Sequence, residues 1–145
     1  ENPQDFTPHS GEYLADLSMR GARHIIGYLM TLGIEDFKYY EPWASKEFKN
    51  TNIKNGAQVY KEYCVQCHGT QGKGDGPGAS GLDPKPAVHA ELPLSDYPDD
   101  YLYNLIFYGG KSVGKSPNMP DWGMTIPKQD LADLMAYLRS NFKGE

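Results

Sequence analysis

The pentapeptide Cys64-Val65-Gln66-Cys67-His68 contains the residues with the clearest potential for chemistry in this chain. Two thiols three positions apart lie on adjacent parts of one helical turn, so each can bond to one side of the same porphyrin. The imidazole of the following residue can then bind the iron. This spacing is the attachment signature of a c-type haem. We therefore predict one haem c, bound covalently through Cys64 and Cys67, with His68 as an iron ligand.

Two other uses of the cysteines fit the sequence less well. Cys64 and Cys67 are the only cysteines, so a structural zinc site would also need two histidines at suitable separations. The chain has four histidines, His9, His24, His68 and His89. Their separations are unsuitable for a zinc site. A thioredoxin-like redox pair would need a βαβ setting, which the flanking sequence does not offer.

Length and composition restrict the class of protein. The 145 residues suit one domain with a possible extension, and 39% hydrophobic content is typical of a globular protein. A net charge of −5 argues against a nucleic-acid partner. The polar start of the chain fits a mature N-terminus after removal of a signal peptide. The longest apolar run, residues 24–34, is too short to span a bilayer, which predicts a soluble protein.

Residues 1–50 read as an extension that packs on a core domain of residues 51–145. Apolar residues recur at helical spacing between Tyr13 and Leu29, and an aromatic stretch follows between Phe37 and Trp43. Soluble proteins rarely leave an apolar face of this size exposed to water. The sequence therefore predicts a helix and an aromatic loop covering the core.

Three core helices are predicted from hydrophobic periodicity. The first runs from a cap at Thr51 or Asn52 into the haem motif, the second covers about Pro98 to Tyr108, and the last opens near Pro127. The last helix bears an apolar stripe formed by Leu131, Leu134, Met135, Leu138 and Phe142. No segment is typical of a β-strand, so an all-α fold is expected.

A glycine-rich run, residues 69–78, follows the motif. It lacks the spacing and the terminal Lys-Ser/Thr of a phosphate-binding loop. We expect it to wrap closely around the flat macrocycle, since glycine permits such an approach. The proline-stiffened segment 82–86 continues this wrapping.

The second iron ligand determines whether the haem transfers electrons or binds small molecules. Met19, Met30 and Met135 lie on predicted helices and are assigned to packing. Met119 and Met124 lie in the loop before the last helix, where a side chain could reach across the ring. The residues alone leave these two candidates open.

Five motifs in a fixed order resemble those of a bacterial class I cytochrome c. They are Gly-x-x-x-Tyr at Gly56–Tyr60, Cys-x-x-Cys-His-Gly at Cys64–Gly69, Gly-x-Gly-Asp-Gly-Pro at Gly72–Pro77, Met-Pro-x-Trp at Met119–Trp122 and Leu-x-Ala-Tyr-Leu at Leu134–Leu138. The resemblance covers about residues 52–142. It implies a cytochrome c fold of three to four core helices wrapped around one haem.

The resemblance also implies roles for single residues in the haem site. It places the distal iron ligand on Met119. The residues themselves leave Met124 as the runner-up and His24 as a less favoured alternative. The resemblance implies that the carbonyl of Pro77 accepts a hydrogen bond from His68, with Pro86 as the rival acceptor. The same resemblance places Trp122 near a haem propionate. It further implies that Gly56 and Tyr60 pack against Leu134 and Tyr137.

These features predict a soluble carrier of single electrons with a six-coordinate His/Met haem and no catalytic activity. The alternatives are a dedicated subunit of a periplasmic oxidoreductase, or a ligand-binding sensor or peroxidase-like protein. Donor and acceptor proteins would bind transiently at the haem edge, or a larger oxidoreductase would dock through the extension. Lysines in the two haem loops could form a positive rim, namely Lys73, Lys85, Lys111 and Lys115. The resemblance implies a periplasmic location.

Overall fold

The structure is a computed structural model that describes residues 42–144. The helices in this range are α1 (Lys46–Lys49), α2 (Ile53–Val59), α3 (Val65–His68), α4 (Asp99–Phe107) and α5 (Lys128–Asn141). A π-helical turn at Tyr60–Cys64 joins α2 to α3, and 3-10 turns cover Pro42–Ala44, His89–Glu91 and Gly110–Val113. Within the same range, β pairing is limited to one bridge between Pro93 and Lys143. The predicted all-α fold is confirmed.

The described part of the predicted extension packs on the helices of the core. The ring centroids of Trp43 and Phe48 each lie 5.9 Å from that of Tyr103 in α4. The predicted first helix and His24 fall within residues 1–41, which lie outside the described residues. The division of the chain into an extension and a core therefore stays a prediction.

Helix α2 begins where the sequence indicates, at a capping asparagine. The Asn52 side chain accepts hydrogen bonds from the backbone N–H groups of Lys54 at 3.1 Å and Asn55 at 3.3 Å. These bonds satisfy donors that have no partner within the helix. The chain is helical from Ile53 into the motif, as predicted, and the π-helical turn Tyr60–Cys64 forms its middle part.

The crossing of α2 over α5 is close because Gly56 has no side chain. A Cβ atom at this position would meet the backbone carbonyl of Asp133 and would lie 2.8 Å from the Cβ of Tyr137. One turn later, the ring of Tyr60 lies 5.4 Å from that of Tyr137. The expected packing of the first core helix on the last one is therefore present, and it fixes the helix that leads into the haem motif.

The core lies between α2, α4 and α5. The predicted stripe of α5 is buried, and Met135 is only 3% exposed, as expected for a packing role. Leu102 and Ile106 contribute the buried face of α4. None of the helices within residues 42–144 has the length and apolar character needed to cross a membrane.

Candidate haem site

Cys64 and Cys67 are half-buried and line the same cavity. Burial raises the pKa of the Cys64 thiol to about 12, and the neighbouring Cys67 adds to the shift. A redox-active cysteine pair depends on the opposite shift, because the thiolate is the nucleophile. Within residues 42–144, no three His, Cys, Asp or Glu side chains are grouped to hold a metal ion. These surroundings suit thiols that are consumed in covalent attachment.

His68 is buried, and its Nδ1 atom lies 3.1 Å from the carbonyl oxygen of Ala87. A carbonyl can only accept, so Nδ1 carries the proton and Nε2 keeps a free lone pair. Burial lowers the pKa of His68, while the hydrogen bond to Ala87 opposes that shift. The ring is therefore held in the neutral tautomer that can bind iron through Nε2.

The acceptor for His68 differs from the one implied by the resemblance. Neither Pro77 nor Pro86 provides the carbonyl, and both assignments are wrong. The acceptor belongs to Ala87, the residue that follows Pro86. Pro77 is exposed and does not line the cavity, whereas Pro86 does.

The backbone hydrogen bonds of the glycine-rich run account for the position of Pro77 outside the cavity wall. Three of its backbone N–H groups return to the carbonyls at the end of α3: Gly74 donates to His68 at 2.9 Å, Gly76 to Cys67 at 3.2 Å and Gly78 to Gln66 at 2.8 Å. The run therefore caps the helix, and none of its residues lines the cavity. Its expected wrapping of the macrocycle stays a prediction. Segment 82–86 does contribute to the cavity wall, through Leu82, Pro84, Lys85 and Pro86.

A second histidine, His89, stacks on His68. The ring centroids lie 3.9 Å apart with an interplanar angle of 19°. The Nδ1 atom of His89 lies 3.2 Å from the hydroxyl of Tyr60. Burial lowers the pKa of His89 to about 3, and His68 adds to the shift, so the ring is neutral. Sequence reasoning missed this contact, although His89 follows closely on the segment 82–86 that was expected to line the haem.

The structure separates the two methionines that the sequence left open. Met119 is half-buried and lines the same cavity as His68. Met124 is 94% exposed and does not line that cavity. Backbone hydrogen bonds hold the Met119 segment, because its carbonyl accepts from Gly110 at 3.0 Å and its N–H donates to Ser116 at 3.2 Å. Of these two residues, only Met119 can reach a group in the cavity without a rearrangement of the loop.

Trp122 also lies on the cavity wall. Its backbone N–H donates to the carbonyl of Ile106 at 3.1 Å, which joins the loop to α4. The indole packs edge-on against Tyr63, with the centroids 5.4 Å apart. This location is compatible with the predicted contact between Trp122 and the haem, and the contact with a propionate stays a prediction.

The cavity has a volume of about 560 Å³, within the range of about 300–1,000 Å³ that is typical of cofactor pockets. Much of its wall is aliphatic and includes Leu82, Leu92, Leu94, Leu102, Leu105, Ile106, Leu134 and Leu138. Such a wall suits a large flat apolar group, and the two thiols are available to hold it. The residues present therefore fit a covalently attached haem.

Only two of the four lysines predicted to form a positive rim lie at the cavity. Lys85 and Lys115 line the cavity, whereas Lys73 and Lys111 are exposed away from its wall. The Nζ atom of Lys85 donates to the carbonyl of Ser80 at 2.6 Å, which fixes this cation in place. Positive charge near the cavity is therefore limited to two of the four residues.

Comparison with known proteins agrees with the geometry of the site. Residues 51–138 match the family described as cytochrome c oxidase, cbb3-type, subunit III. A subunit of the nicotinate dehydrogenase of Pseudomonas putida is 30% identical over 137 residues, which cover 91% of this chain and 11% of that protein. The gluconate 2-dehydrogenase cytochrome c subunit of Pantoea cypripedii is 27% identical over an alignment of 148 residues. This alignment covers 95% of this chain and 32% of that protein.

The chain therefore spans about a tenth and about a third of the length of these two curated relatives. The family match includes the haem motif, the Met119 loop and most of α5. The described domain is an electron-transfer module. The chain belongs to the family described as cytochrome c oxidase, cbb3-type, subunit III, and it is a class I cytochrome c that carries single electrons on one haem c attached through Cys64 and Cys67.

Proposed function

We propose that this chain relays single electrons from a dehydrogenase partner to a second redox protein, with His68 and Met119 as the two axial ligands of the iron. One observation supports the ligand pair above all others. A single cavity is lined by both attachment thiols, by His68 and by Met119. When bound, the haem supplies a reversible one-electron change at iron.

The side chains of this site hold the cofactor and adjust its potential. Met119 and His68 would hold the iron, and a thioether ligand would raise the reduction potential compared with two nitrogen ligands. The aliphatic wall excludes water, which disfavours the additional charge of the ferric form. Because the chain itself supplies both axial ligands, no position remains for a substrate. The proposal therefore assigns no catalytic activity to this chain.

The names of the relatives support a dehydrogenase as the electron donor. One is a subunit of nicotinate dehydrogenase and the other is the cytochrome c subunit of gluconate 2-dehydrogenase. Lys85 and Lys115, at the cavity, would face such a partner and favour an acidic surface on it. A periplasmic location accords with this role, because bacteria attach haem c outside the cytoplasm in this family. Co-purification with a larger protein distinguishes a dedicated subunit from a free shuttle.

Substitution of Met119 tests the ligand pair. In Met119→Ala, the ferric protein should lose the weak absorbance band in the red that sulfur–iron bonding gives. Its reduction potential should fall by on the order of 0.1 V, a fraction of the roughly 0.8 V that axial ligands span. Both quantities are measured by spectroelectrochemistry on the haem-loaded protein.

Met124→Ala is the matched control, since that side chain is 94% exposed and lies in the same loop. It should leave both the band and the potential unchanged. An unaltered red band in Met119→Ala contradicts the ligand assignment, and loss of the band in Met124→Ala transfers the assignment to that residue.

A further inference from the structure

Two contacts restrain the imidazole of His68, one at its edge and one on its face. Its edge is held by the hydrogen bond from Nδ1 to the carbonyl of Ala87, at 3.1 Å. Its face is covered by the ring of His89, at 3.9 Å and 19°. A single hydrogen bond sets the tautomer but leaves the ring free to rock about the bond direction. The stacked ring removes that remaining freedom.

His89 is itself anchored through a buried tyrosine. The Tyr60 hydroxyl lies 3.2 Å from Nδ1 of His89 and 3.3 Å from the carbonyl oxygen of Gly69, and Tyr60 is only 2% exposed. The carbonyl must accept, so the Tyr60 hydroxyl donates to Gly69 and its oxygen accepts a hydrogen bond from the Nδ1–H group of His89. Gly69 directly follows His68 along the chain. The contacts thus form a closed path that runs from the His68 ring through His89 and Tyr60 to the backbone of Gly69.

Aromatic packing supports the same arrangement from the other side. The ring of Phe142 lies edge-on to His89, with centroids 5.5 Å apart, and it lies 5.6 Å from Tyr60. The ring of His89 therefore lies between the ring of His68 and the core rings of Tyr60 and Phe142. An aliphatic side chain could fill this space, but it could not be tied to the Tyr60 hydroxyl.

We propose that His89 is a positioning residue for the proximal ligand: anchored by Tyr60, its imidazole fixes the plane of the His68 ring against rocking about the hydrogen bond from Nδ1 to Ala87. The inference rests on the proposed function in one respect, namely that His68 binds the iron. The plane of an axial imidazole determines which iron d orbital it overlaps. That plane therefore sets the distribution of unpaired spin over the haem in the ferric protein.

The test compares variants of the haem-loaded chain by proton NMR of the ferric haem methyl groups. His89→Phe retains a flat ring but removes the donor to Tyr60, and Tyr60→Phe removes the hydroxyl while retaining its ring. Each substitution should change the spread and the order of the methyl shifts. The double variant should deviate no further than the larger of the two single changes, because both act through the same hydrogen bond.

Tyr137→Phe serves as the matched control. It removes a hydroxyl from a neighbouring ring, 5.4 Å from Tyr60, and leaves the bond between His89 and Tyr60 in place. Its methyl shifts should match those of the unmodified chain. If His89→Phe does not accumulate as folded protein, Tyr60→Phe alone decides the outcome.

Unchanged methyl shifts in folded His89→Phe and Tyr60→Phe overturn the proposal. The same holds if these variants lose stability without any change in the shifts, because His89 would then be a packing residue only. Failure of the proposed function has a different signature. In that case the unmodified ferrous protein lacks the methionine methyl resonance that the ring current of the haem displaces far upfield.

Discussion

The ring of His68 is restrained by a hydrogen bond and a stacked ring, whereas the hydrogen bonds at Met119 are made by its backbone. On the proximal side, Ala87 and His89 restrain the imidazole directly. On the distal side, the hydrogen bonds to Gly110 and Ser116 fix the main chain of Met119. The ring of one proposed ligand is therefore oriented by side-chain contacts, and the position of the other depends on the conformation of a loop.

The two sides also differ in what supports them. The proximal motif continues from α2, whose crossing with α5 at Gly56 leaves no room for a side chain. The distal loop is joined to the end of α4 by main-chain bonds, from Trp122 to Ile106 and from Gly123 to Phe107. A packed helix crossing resists displacement more than a loop does. Equivalent changes on the two sides should therefore have different consequences for stability and for ligation.

The largest effect is expected from Gly56→Ala. The added methyl group would meet the Asp133 carbonyl, which is part of α5 and cannot move without shifting that helix. We expect a loss of about 3 kcal/mol in the free energy of unfolding, at the upper end for an overpacked site. Denaturant unfolding of the haem-loaded protein measures this loss.

Gly81→Ala is the control, because no atom lies within 4 Å of a Cβ atom at that position. Its stability should be within about 0.5 kcal/mol of the unmodified chain. Equal stability of the two variants would contradict the close crossing of α2 and α5.

A smaller loss of stability, with a larger change in ligation, is expected from the same substitution on the distal side. In Gly110→Ala the methyl group would meet the Ser116 carbonyl and would lie 3.1 Å from the Cβ of Met119. The loop can yield, so the cost should be about 1–2 kcal/mol. Displacement of Met119 should weaken the sulfur–iron absorbance band, which Gly56→Ala should leave intact in molecules that remain folded. A stability loss as large as that of Gly56→Ala would remove the distinction between the two sides.

The smallest effect concerns the cap of α2. Asn52→Ala removes the acceptor for two backbone N–H groups, while the Asn52 N–H can still donate to Asp133 at 2.8 Å. We expect a loss of about 1 kcal/mol in the free energy of unfolding and no change in reduction potential. Thr51→Ala, one residue earlier, should have little effect on stability. Comparable losses for Thr51→Ala and Asn52→Ala would show that the cap is not specific to Asn52.

The haem-attachment motif and the helices that support it were largely predictable because their signals are local. The spacing of Cys64, Cys67 and His68 defines the attachment site within one helical turn, and apolar periodicity indicates the helices that carry and support it. A cap at Thr51 or Asn52 and a packing role for Met135 follow from the same short-range patterns, and the structure places the cap on Asn52.

The remaining contacts depend on how loops return to the site. The choice of Ala87 as the acceptor and the stacking of His89 follow from the path of segment 82–92, which glycine and proline content alone does not determine. The glycine run caps α3 because its N–H groups reach helix carbonyls, a use that composition does not reveal. Met119 and Met124 have the same residue type and lie in the same loop, so residue type and position alone leave both open, and their burial separates them.

Carbon monoxide binding to the reduced, haem-loaded chain tests the central claim most directly. If His68 and Met119 occupy both axial positions, the ferrous protein should bind carbon monoxide slowly and incompletely, because the thioether must first leave the iron. Stopped-flow absorbance measures the rate and the extent of binding. Rapid and complete binding in the unmodified chain would show an open position at the iron. It would contradict the proposal that the site transfers electrons and binds no external ligand.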